Sequence, residues 1–270
     1  MRYCGSKRRF ANDIVPFIMK FINSEEQLFV DMFCGGCSII SEVPHSYKLG
    51  IDNNPYVIKM WQTLKKNVLN GHSCDNIPYD ITEEQYASIK ESYLNKDGRW
   101  PDHVIGYVGN ACSYGGAWFN GFAKPNYNKC NKHGEPENHC HEAYNGLMKQ
   151  LKGWYDMMGT DFICSSFEGS EKYFDPHSVI YCDPPYANTK KYMTDFPHDK
   201  FYDWCRKMTD EGHTVLVSEY EMPEDFICIW SKEKKDGMAA CKKGDKANTK
   251  VEKLFICKGT LINHNTEGQS

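Results

Sequence analysis

The amino-terminal part of the chain alternates between helical and strand-like hydrophobic spacing. Residues 11–23 place apolar side chains at helical spacing, and the apolar run LFVDMF that follows has the length of a strand and leads into the small residues CGGCS. YKLGIDNN predicts a second strand that ends at Asp52, and PYVIKMWQTLKKNVLN predicts a helix with Pro55 in its first turn. Strands that alternate with helices indicate an α/β fold with a parallel, doubly wound sheet.

This alternation is interrupted in the middle of the chain. The interrupting stretch is rich in Asn, Gly, His and Tyr, with a helix predicted over residues 82–94 and the turn-rich sequence SYGGAWFNGFAKPNYN after it. Strand-like runs return as DFICSSF, SVIYCDPPY and HTVLVSEY, followed by FICIW and VEKLFICKG, which we expect to be paired strands. We therefore expect a sheet domain built from residues 1–71 and 151–262, an inserted, mostly helical lobe over residues 72–150, and a frayed tail over residues 263–270.

Composition narrows the class of protein. The 270 residues are enough to bury a sizeable core, and the 13 cysteines are scattered through apolar strands, which favours reduced, buried thiols. The sequence contains neither an apolar run of about 18 residues nor a secretory signal at its start, so we expect an intracellular protein without a membrane span. A net charge of −4 excludes a uniformly basic surface but permits a local basic face.

The segment VIYCDPPY carries the most informative chemistry. A buried strand brings Asp183 and Tyr186 to its carboxyl end, where open α/β sheets bind ligands. Pro184 and Pro185 have no backbone N–H group, so the turn cannot continue a sheet ladder and instead presents carbonyl groups beside the Asp183 carboxylate. The tetrapeptide is thus predicted to be a rigid cluster of hydrogen-bond acceptors.

Such a cluster suits methyl transfer to the exocyclic amine of a base. The lone pair of the adenine amine is delocalised into the ring, and two acceptors on its hydrogens, the Asp183 carboxylate and the Pro184 carbonyl, favour a more nucleophilic nitrogen. Tyr186 would stack on the base, which must be extruded from a duplex to reach a buried methyl donor. A strand-ending turn without chemistry is the alternative, and the other motifs decide between the two interpretations.

A second pattern indicates a nucleoside cofactor. Gly35 and Gly36 follow the first strand and would let backbone approach a bulky ligand closely. Asp52 ends the next strand, at the spacing of the carboxylates that accept hydrogen bonds from ribose hydroxyls in nucleotide-binding α/β folds. Together with DPPY, these residues favour catalysis over a structural turn.

In the order of these segments the chain resembles the Dam-like DNA adenine-N6 methyltransferases, whose cofactor motifs come first, target-recognition lobe next and catalytic DPPY last. YCGSKRRF resembles the family's aromatic-x-Gly-x-Lys motif, VDMFCGGCS its Phe-x-Gly-x-Gly motif and LGIDNN its ribose-binding segment; VLVSEY and KVEKLF extend the resemblance over nearly the whole chain. It implies a Rossmann-like methyltransferase sheet and the cofactor S-adenosylmethionine. The residues it places around that cofactor are Tyr3, Gly5, Lys7, Asp31, Phe33, Gly35, Asp52 and Asp183.

By this resemblance Asp52 holds the ribose, Asp31 the methionine ammonium, and Asp183 meets both cofactor and adenine. For Lys7, a solvated basic cluster with Arg8 and Arg9 is the alternative. One departure from the family lies at Cys37, which stands in place of the second glycine of the motif and would strain a left-handed backbone.

Cys34 and Cys37 form a CxxC pair. The sequence has no second pair to match it, so we interpret both as packing residues rather than zinc or redox groups. The segment CNKHGEPENHCH offers further ligand types at Cys130, His133, His139, Cys140 and His141. Its spacing matches no standard zinc finger, so we expect a polar loop that contacts DNA or solvent and no metal site.

The segment WFNGFAKPN matches the family's reading motif only in part. Phe119 and Asn120 are present, Lys124 stands where the resemblance predicts an arginine for guanine contact, and Asn126 follows it. These four residues are predicted to contact DNA. Because lysine lacks the planar fork of arginine and the following Gly-Glu-Phe-Asn stretch is missing, the family's usual GATC target is not carried over.

A basic stretch near the carboxyl end is a second candidate for DNA contact. Between Lys232 and Lys253 there are eight lysines and four acidic residues, interleaved with Gly and Asn. Such a loop suits contacts to phosphates, for which we single out Lys242 and Lys243. A solvated hairpin is the alternative.

The sequence thus predicts an enzyme that methylates N6 of an adenine extruded from double-stranded DNA, in the cytoplasm of a bacterium or a phage-infected cell, with no obligatory protein partner. An N4-cytosine methyltransferase uses the same amine chemistry but usually has Ser in place of Asp183. An RNA or protein-glutamine methyltransferase is disfavoured by the lobe before the catalytic strand, and a cytosine-C5 enzyme by the lack of a Pro-Cys motif. A catalytically silent DNA-binding module is the alternative from another class.

Overall fold

The computed structural model describes residues 1–70, 76–130, 134, 136–186, 196–234 and 250–260. Its helices and strands are, in chain order, α1 (Ala11–Met19), β1 (Phe29–Asp31), β2 (Lys48–Asp52), α2 (Pro55–Leu69), α3 (Glu83–Asn95), α4 (Asp102–Ala111), β3 (Asn126–Cys130), β4 (Pro136–Glu137), α5 (His139–Gly153), β5 (Thr160–Cys164), β6 (Val179–Cys182), α6 (His198–Asp210), β7 (Thr214–Glu219), β8 (Phe226–Lys234) and β9 (Lys250–Cys257). Short 3-10 turns cover Lys7–Arg9, Tyr114–Gly116 and Glu171–Tyr173.

The chain divides into two compact units, and each contains strands of its own. The first unit comprises residues 1–16 and 34–166, and the second comprises residues 17–33 and 167–270. Strands β5 and β2 belong to the first unit, and the second unit contains the strand order β1-β6-β7-β9-β8. The α/β class is therefore confirmed. The sheet is mixed rather than purely parallel, because β9 pairs antiparallel with both β7 and β8.

In the first unit, β2 and α2 form as the sequence predicts. Asp52 ends β2 opposite Cys164 of the parallel strand β5. Asn54 caps α2 by accepting hydrogen bonds from the N–H groups of the next turn, and Pro55 occupies the first helical turn, where a missing N–H group leaves no bond unmade. The apolar face of α2, with Trp61 and Leu64, is buried.

The stretch after α2 contains more helix than the sequence predicts. Helix α3 begins with a capping box between Thr82 and Gln85, close to the predicted boundary. Helix α4 was not predicted, because Gly106 and Gly109 lower its helix propensity. The structure explains Gly106: a Cβ there would lie 2.1 Å from the carbonyl oxygen of Tyr56, so α4 can pack this closely on α2 only with glycine.

The predicted polar loop of CNKHGEPENHCH is wrong at its carboxyl end. His139, Cys140 and His141 form the first turn of α5, and Asn138 caps that turn through the N–H groups of Cys140 and His141. One face of α5 is buried, with Cys140, Ala143 and Leu147 at helical spacing. The apolar residues of this face are small or far apart, which is why the pattern was overlooked.

The compact units follow other boundaries than the predicted domains. Residues 76–150 fall in the same unit as the glycine loop and β2, and the close approach of α2 and α4 accounts for this grouping. The division into a catalytic domain and a recognition lobe stays a prediction.

In the second unit, β1, β6 and β7 are parallel neighbours. Asp31 lies opposite Tyr181 on β6, and Cys182 lies opposite Val217 on β7. Helix α6, absent from the predicted elements, packs its buried Phe201, Trp204 and Met208 beneath this sheet.

No helix in the described ranges is both long enough and apolar enough to cross a bilayer. Most of the described cysteines are buried free thiols, as predicted, whereas Cys130, Cys164 and Cys228 are exposed.

Candidate active site

The glycine loop of the first unit is covered by an aromatic ring. Gly35 has a left-handed φ of +41°, and a Cβ on it would lie 2.7 Å from ring atoms of Tyr3. A Cβ on Gly36 would lie 2.7 Å from Cβ of Tyr3. Both glycines are therefore required by the close approach of the amino-terminal segment, and the group that approaches them in this structure is Tyr3 of the same chain.

Cys37 stands in place of the second glycine of the family motif and has a left-handed backbone, with φ of +52°. This is the conformation in which the sequence predicts strain for a residue with a Cβ. Hydrogen bonds to neighbouring carbonyls hold the loop in this conformation: the Gln150 side-chain amide donates to the carbonyls of Gly36 and Cys37 at 3.0 and 2.8 Å. The Ser41 hydroxyl donates to the Cys37 carbonyl at 2.7 Å. Gln150 lies more than a hundred residues away along the chain, so no local sequence signal marks it as part of the loop.

Asp52 ties the end of β2 to the glycine loop. Its carboxylate, 8% exposed, accepts hydrogen bonds from the N–H groups of Gly35 at 3.0 Å and Asn54 at 2.8 Å. Burial raises the pKa of Asp52, and these two N–H bonds oppose the rise. Each carboxylate oxygen has further lone-pair capacity, so Asp52 can still accept hydrogen bonds from a ribose. Trp61 completes this corner by donating its indole N–H to the Gly35 carbonyl at 2.8 Å.

The amino-terminal motif lies in the same unit as the loop. Lys7 is buried, whereas its neighbours Arg8 and Arg9 are exposed, which distinguishes Lys7 from a solvated basic cluster. Its backbone N–H donates to the Ser38 hydroxyl at 3.1 Å, next to the glycine loop. Gly5 is exposed and has a φ of +81°, a conformation that favours glycine.

Asp31 and Phe33 lie in the second unit. Asp31 ends β1 with 2% of its surface exposed. Phe33 packs edge-on against Phe196 and Phe201, each with ring centroids 5.7 Å apart. Phe33 is thus part of an aromatic cluster of its own unit and stays half-exposed.

The DPPY turn follows β6 directly. Asp183 is half-buried and Pro184 is buried. The Tyr186 hydroxyl donates a hydrogen bond to the carboxylate of Glu252 on β9, and its ring meets that of Tyr220 edge-on, with centroids 4.5 Å apart. Burial, followed by the charges of Asp183 and Glu252, raises the pKa of the Tyr186 hydroxyl well above its usual range.

Sequence reasoning missed Glu252 and Tyr220. Both lie in segments, KVEKLF and VLVSEY, that carry the family resemblance, but neither received a role. The sequence signal for Glu252 is its position near the apolar run LFIC of the same predicted strand, since an acidic residue that is buried there, here 3% exposed, requires a hydrogen-bond partner.

The recognition segment, residues 119–128, contains both packed and exposed side chains. Phe119 is buried, has a left-handed backbone and stacks its ring on Tyr93 at 5.2 Å. Its carbonyl accepts a hydrogen bond from Lys90 at 3.1 Å. Asn120 and Lys124 are exposed, and Lys124 forms a 2.9 Å ion pair with Glu83. The DNA contacts predicted for these residues stay untested.

An open groove of about 530 Å³ lies along this segment. Its lining includes Tyr114, Phe122, Lys124, Asn126, Tyr127 and His139. Tyr114 and Tyr127 are 70% and 76% exposed, so two aromatic faces are accessible beside the polar side chains. Lys242 and Lys243 lie outside the described residues.

The potential metal-ligating residues between Cys130 and Glu142 do not all lie together. Within the part of the chain that the structure describes, Glu137, His139 and Glu142 bring ligand atoms within 4.8 Å of one another. His141 instead stacks on Tyr79 at 4.2 Å and contacts Asp80 at 3.1 Å. His133 lies outside the described residues, and the expectation of no metal site stays a prediction.

Comparison with known proteins supplies the family. A family model described as D12 class N6 adenine-specific DNA methyltransferase matches residues 3–235. The type II methyltransferase M.FokI of Planomicrobium okeanokoites is 27% identical over 216 residues, which are 76% of this chain but only 31% of that protein. The retron Ec67 DNA adenine methylase of Escherichia coli is 24% identical over 227 residues, 81% of this chain and 75% of that protein. Among solved structures, the putative methyltransferase yhhF of Escherichia coli has a TM-score of 0.35 at 10% identity, covering 93% of this chain and 86% of that one.

Proposed function

The chain belongs to the D12 class of N6 adenine-specific DNA methyltransferases, and we propose that it transfers a methyl group from S-adenosylmethionine to N6 of an adenine extruded from double-stranded DNA. The observation that carries this proposal is the DPPY turn at the carboxyl end of β6, with a half-buried Asp183 carboxylate beside two residues that lack N–H groups. That turn offers acceptors and no backbone donors at the two prolines, as an amine with two hydrogens requires.

In this proposal Asp183 and the Pro184 carbonyl each accept a hydrogen bond from N6. Both bonds draw the nitrogen lone pair out of conjugation with the ring and orient it for attack, and partial burial strengthens the electrostatic part of the effect. Tyr186 stacks on the extruded base and compensates for stacking lost in the duplex. No covalent bond between enzyme and base is required.

The donor set fits S-adenosylmethionine. When bound, this cofactor supplies a methyl group on a positively charged sulfur. Asp52 retains acceptor capacity for ribose hydroxyls after its two backbone bonds, and the buried Asp31 carboxylate suits an ammonium group. Lys7 and Tyr3 of the amino-terminal motif, with Gly5, Phe33 and Gly35, are proposed to complete the binding residues.

For DNA recognition we propose the exposed members of the recognition segment, Asn120, Lys124 and Asn126. The burial of Phe119 leaves its ring to packing, whereas Tyr114 and Tyr127 offer exposed faces on which an unstacked base can rest. Lys242 and Lys243 are proposed to contact phosphates, because lysine-rich loops bind the DNA backbone without reading its sequence.

The proposal is tested by identifying the product. Purified protein is incubated with S-adenosylmethionine labelled in its methyl group and with unmethylated genomic DNA, and the DNA is digested to nucleosides. We expect labelled N6-methyladenine. Labelled N4-methylcytosine would assign the protein to the alternative amine chemistry, and binding of DNA without any labelled nucleoside would identify a silent DNA-binding module.

A further inference from the structure

Tyr186 of the DPPY turn is held by a residue of a different strand. Glu252 lies on β9, opposite Lys232 of β8, and its carboxylate is 3% exposed. The Tyr186 hydroxyl donates its hydrogen bond to this carboxylate. Because burial and the nearby carboxylates raise the pKa of Tyr186, the hydroxyl keeps its proton at neutral pH and remains the donor.

A second contact fixes the other end of the same side chain. The Tyr220 ring meets the Tyr186 ring edge-on, with centroids 4.5 Å apart and planes inclined by 79°. A tyrosine has two rotatable side-chain torsions. Since one contact holds the hydroxyl and the other the ring, both torsions are restrained by residues of the protein itself.

Glu252 requires an explanation of its own. It lies between Val251 and Lys253 on β9, and its side chain is nevertheless 3% exposed. Burying an ionised carboxylate is unfavourable unless it accepts strong hydrogen bonds, and the Tyr186 hydroxyl provides one. Strand β9 thus places a buried acceptor at the point where it can orient the DPPY tyrosine.

We propose that Glu252 is a positioning residue that holds the Tyr186 ring in the orientation on which the extruded adenine stacks, before DNA binds. This inference rests on the proposed function, because Tyr186 needs a fixed orientation only if a base enters the site. An ordered ring lowers the entropy lost when the base is captured, so the benefit falls on the methylation step rather than on binding of the cofactor.

The test is a double-mutant cycle on Glu252 and Tyr186. Single-turnover methylation of unmethylated genomic DNA is measured at saturating S-adenosylmethionine for Glu252→Ala, Tyr186→Phe and the double variant. Each single variant removes a hydrogen bond to a charged group and should lower the rate by about 10-fold or more. The double variant should be no slower than the slower single variant, because both changes remove the same bond.

Two further variants separate positioning from charge and from folding. Glu252→Gln keeps an oxygen that accepts the hydroxyl, so it should restore the rate to within about threefold of wild type. Glu233→Ala removes an exposed glutamate of the neighbouring β8 and is the matched control, with no expected change. Calorimetry with S-adenosylmethionine alone should give the same dissociation constant for all variants, which a general loss of structure would not.

Additive losses in the double variant, a Glu252→Gln rate as low as that of Glu252→Ala, or a parallel loss of cofactor affinity would each overturn the inference. If Glu252→Ala does not fold, Tyr186→Phe and Glu252→Gln decide: a slow first variant with a fast second one supports positioning, and a wild-type rate for Tyr186→Phe refutes it. A wild-type protein that labels no adenine refutes the proposed function instead, so the two failures are distinct.

Discussion

The DPPY turn and the recognition segment, residues 119–128, differ in how firmly the surrounding structure holds them. The turn follows the buried parallel strand β6, and its first proline is buried. Tyr186 is hydrogen-bonded to Glu252 and packs against Tyr220. In the recognition segment, Asn120 and Tyr127 are exposed, and Lys124 forms an ion pair with Glu83 at the surface. Neighbouring residues therefore fix the conformation of the DPPY turn, whereas the contacts of the recognition segment can change without disturbing the fold.

The largest effect on methylation should come from removing the Asp183 carboxylate, the proposed hydrogen-bond acceptor of the DPPY turn. Asp183→Ala should lower the methylation rate by about 10²- to 10³-fold, as expected when a preorganised electrostatic contact to the reacting group is lost. Its melting temperature should stay close to that of wild type, because Asp183 lies at the end of a strand rather than in the core. Single-turnover methylation and thermal unfolding measure the two quantities. A wild-type rate would remove Asp183 from the mechanism.

The glycine loop extends the comparison to a third, tightly packed region. Gly36→Ala places a Cβ 2.7 Å from Cβ of Tyr3, and we expect a loss of about 1–3 kcal/mol in the free energy of unfolding. Gly146→Ala is the matched control, since a Cβ there meets nothing within 4 Å and α5 should gain about 0.5–1 kcal/mol. Denaturant unfolding of both variants is the measurement. Equal stabilities would show that Tyr3 does not constrain the loop.

Substitution of Asp52 tests whether this buried carboxylate of the first unit binds the cofactor. Asp52→Ala should weaken the affinity for S-adenosylmethionine by about 1–3 kcal/mol, because ribose hydroxyls lose their acceptor. Since burial raises the pKa of Asp52, the wild-type affinity should be retained above that raised pKa and fall as the pH is lowered through it.

Asp52→Asn should lose this pH dependence, because an amide does not titrate in that range. Calorimetric titration of the cofactor between pH 5 and 8 compares the three proteins. An unchanged dissociation constant in Asp52→Ala would contradict the ribose assignment.

The smallest change in stability should come from the exposed region. Lys124→Ala removes an exposed ion pair with Glu83, worth about 0–1 kcal/mol, so folding and the rate on the best site should hardly change. If Lys124 reads a base, discrimination at one position should weaken by about 1–3 kcal/mol. Lys242→Ala or Lys243→Ala should instead lower affinity on all sequences alike and reduce its salt dependence.

Methylation of a randomised oligonucleotide pool at two salt concentrations separates these effects. An unchanged preferred site in Lys124→Ala, together with an altered one in a Lys242 or Lys243 variant, would reverse the division between base reading and phosphate contact.

Much of the sheet was predictable because its signals are local. The strand ending at Asp52, the capped helix α2 and the strand before DPPY each follow from apolar runs with a definite boundary residue. Helix α4 was missed because two glycines lower its helix propensity: Gly106 allows close packing against α2, and Gly109 lies against the Trp118 ring. The antiparallel position of β9 also depends on pairing between distant segments, which no local pattern encodes.

Site residues were predictable where the proposed chemistry itself requires one type of side chain. Residues that act by holding another residue in place were not predictable. Asp183 and Asp52 follow from the chemistry of an amine and a ribose. Gln150, which holds the carbonyls of the glycine loop, and Glu252, which holds Tyr186, act through contacts over long sequence distances. Phe119 shows the converse, since an aromatic residue in a matching motif proves to be buried.

Strand β8 has a consequence for how the protein behaves at high concentration. Among the described strands it is the outermost of its sheet and is nine residues long, and such an outer strand invites pairing with another copy and hence aggregation. Its register shifts between Cys228 and Trp230, and its exposed Lys232 and Glu233 follow, so the outer ladder is both irregular and charged. These features discourage edge-to-edge association between copies of the protein.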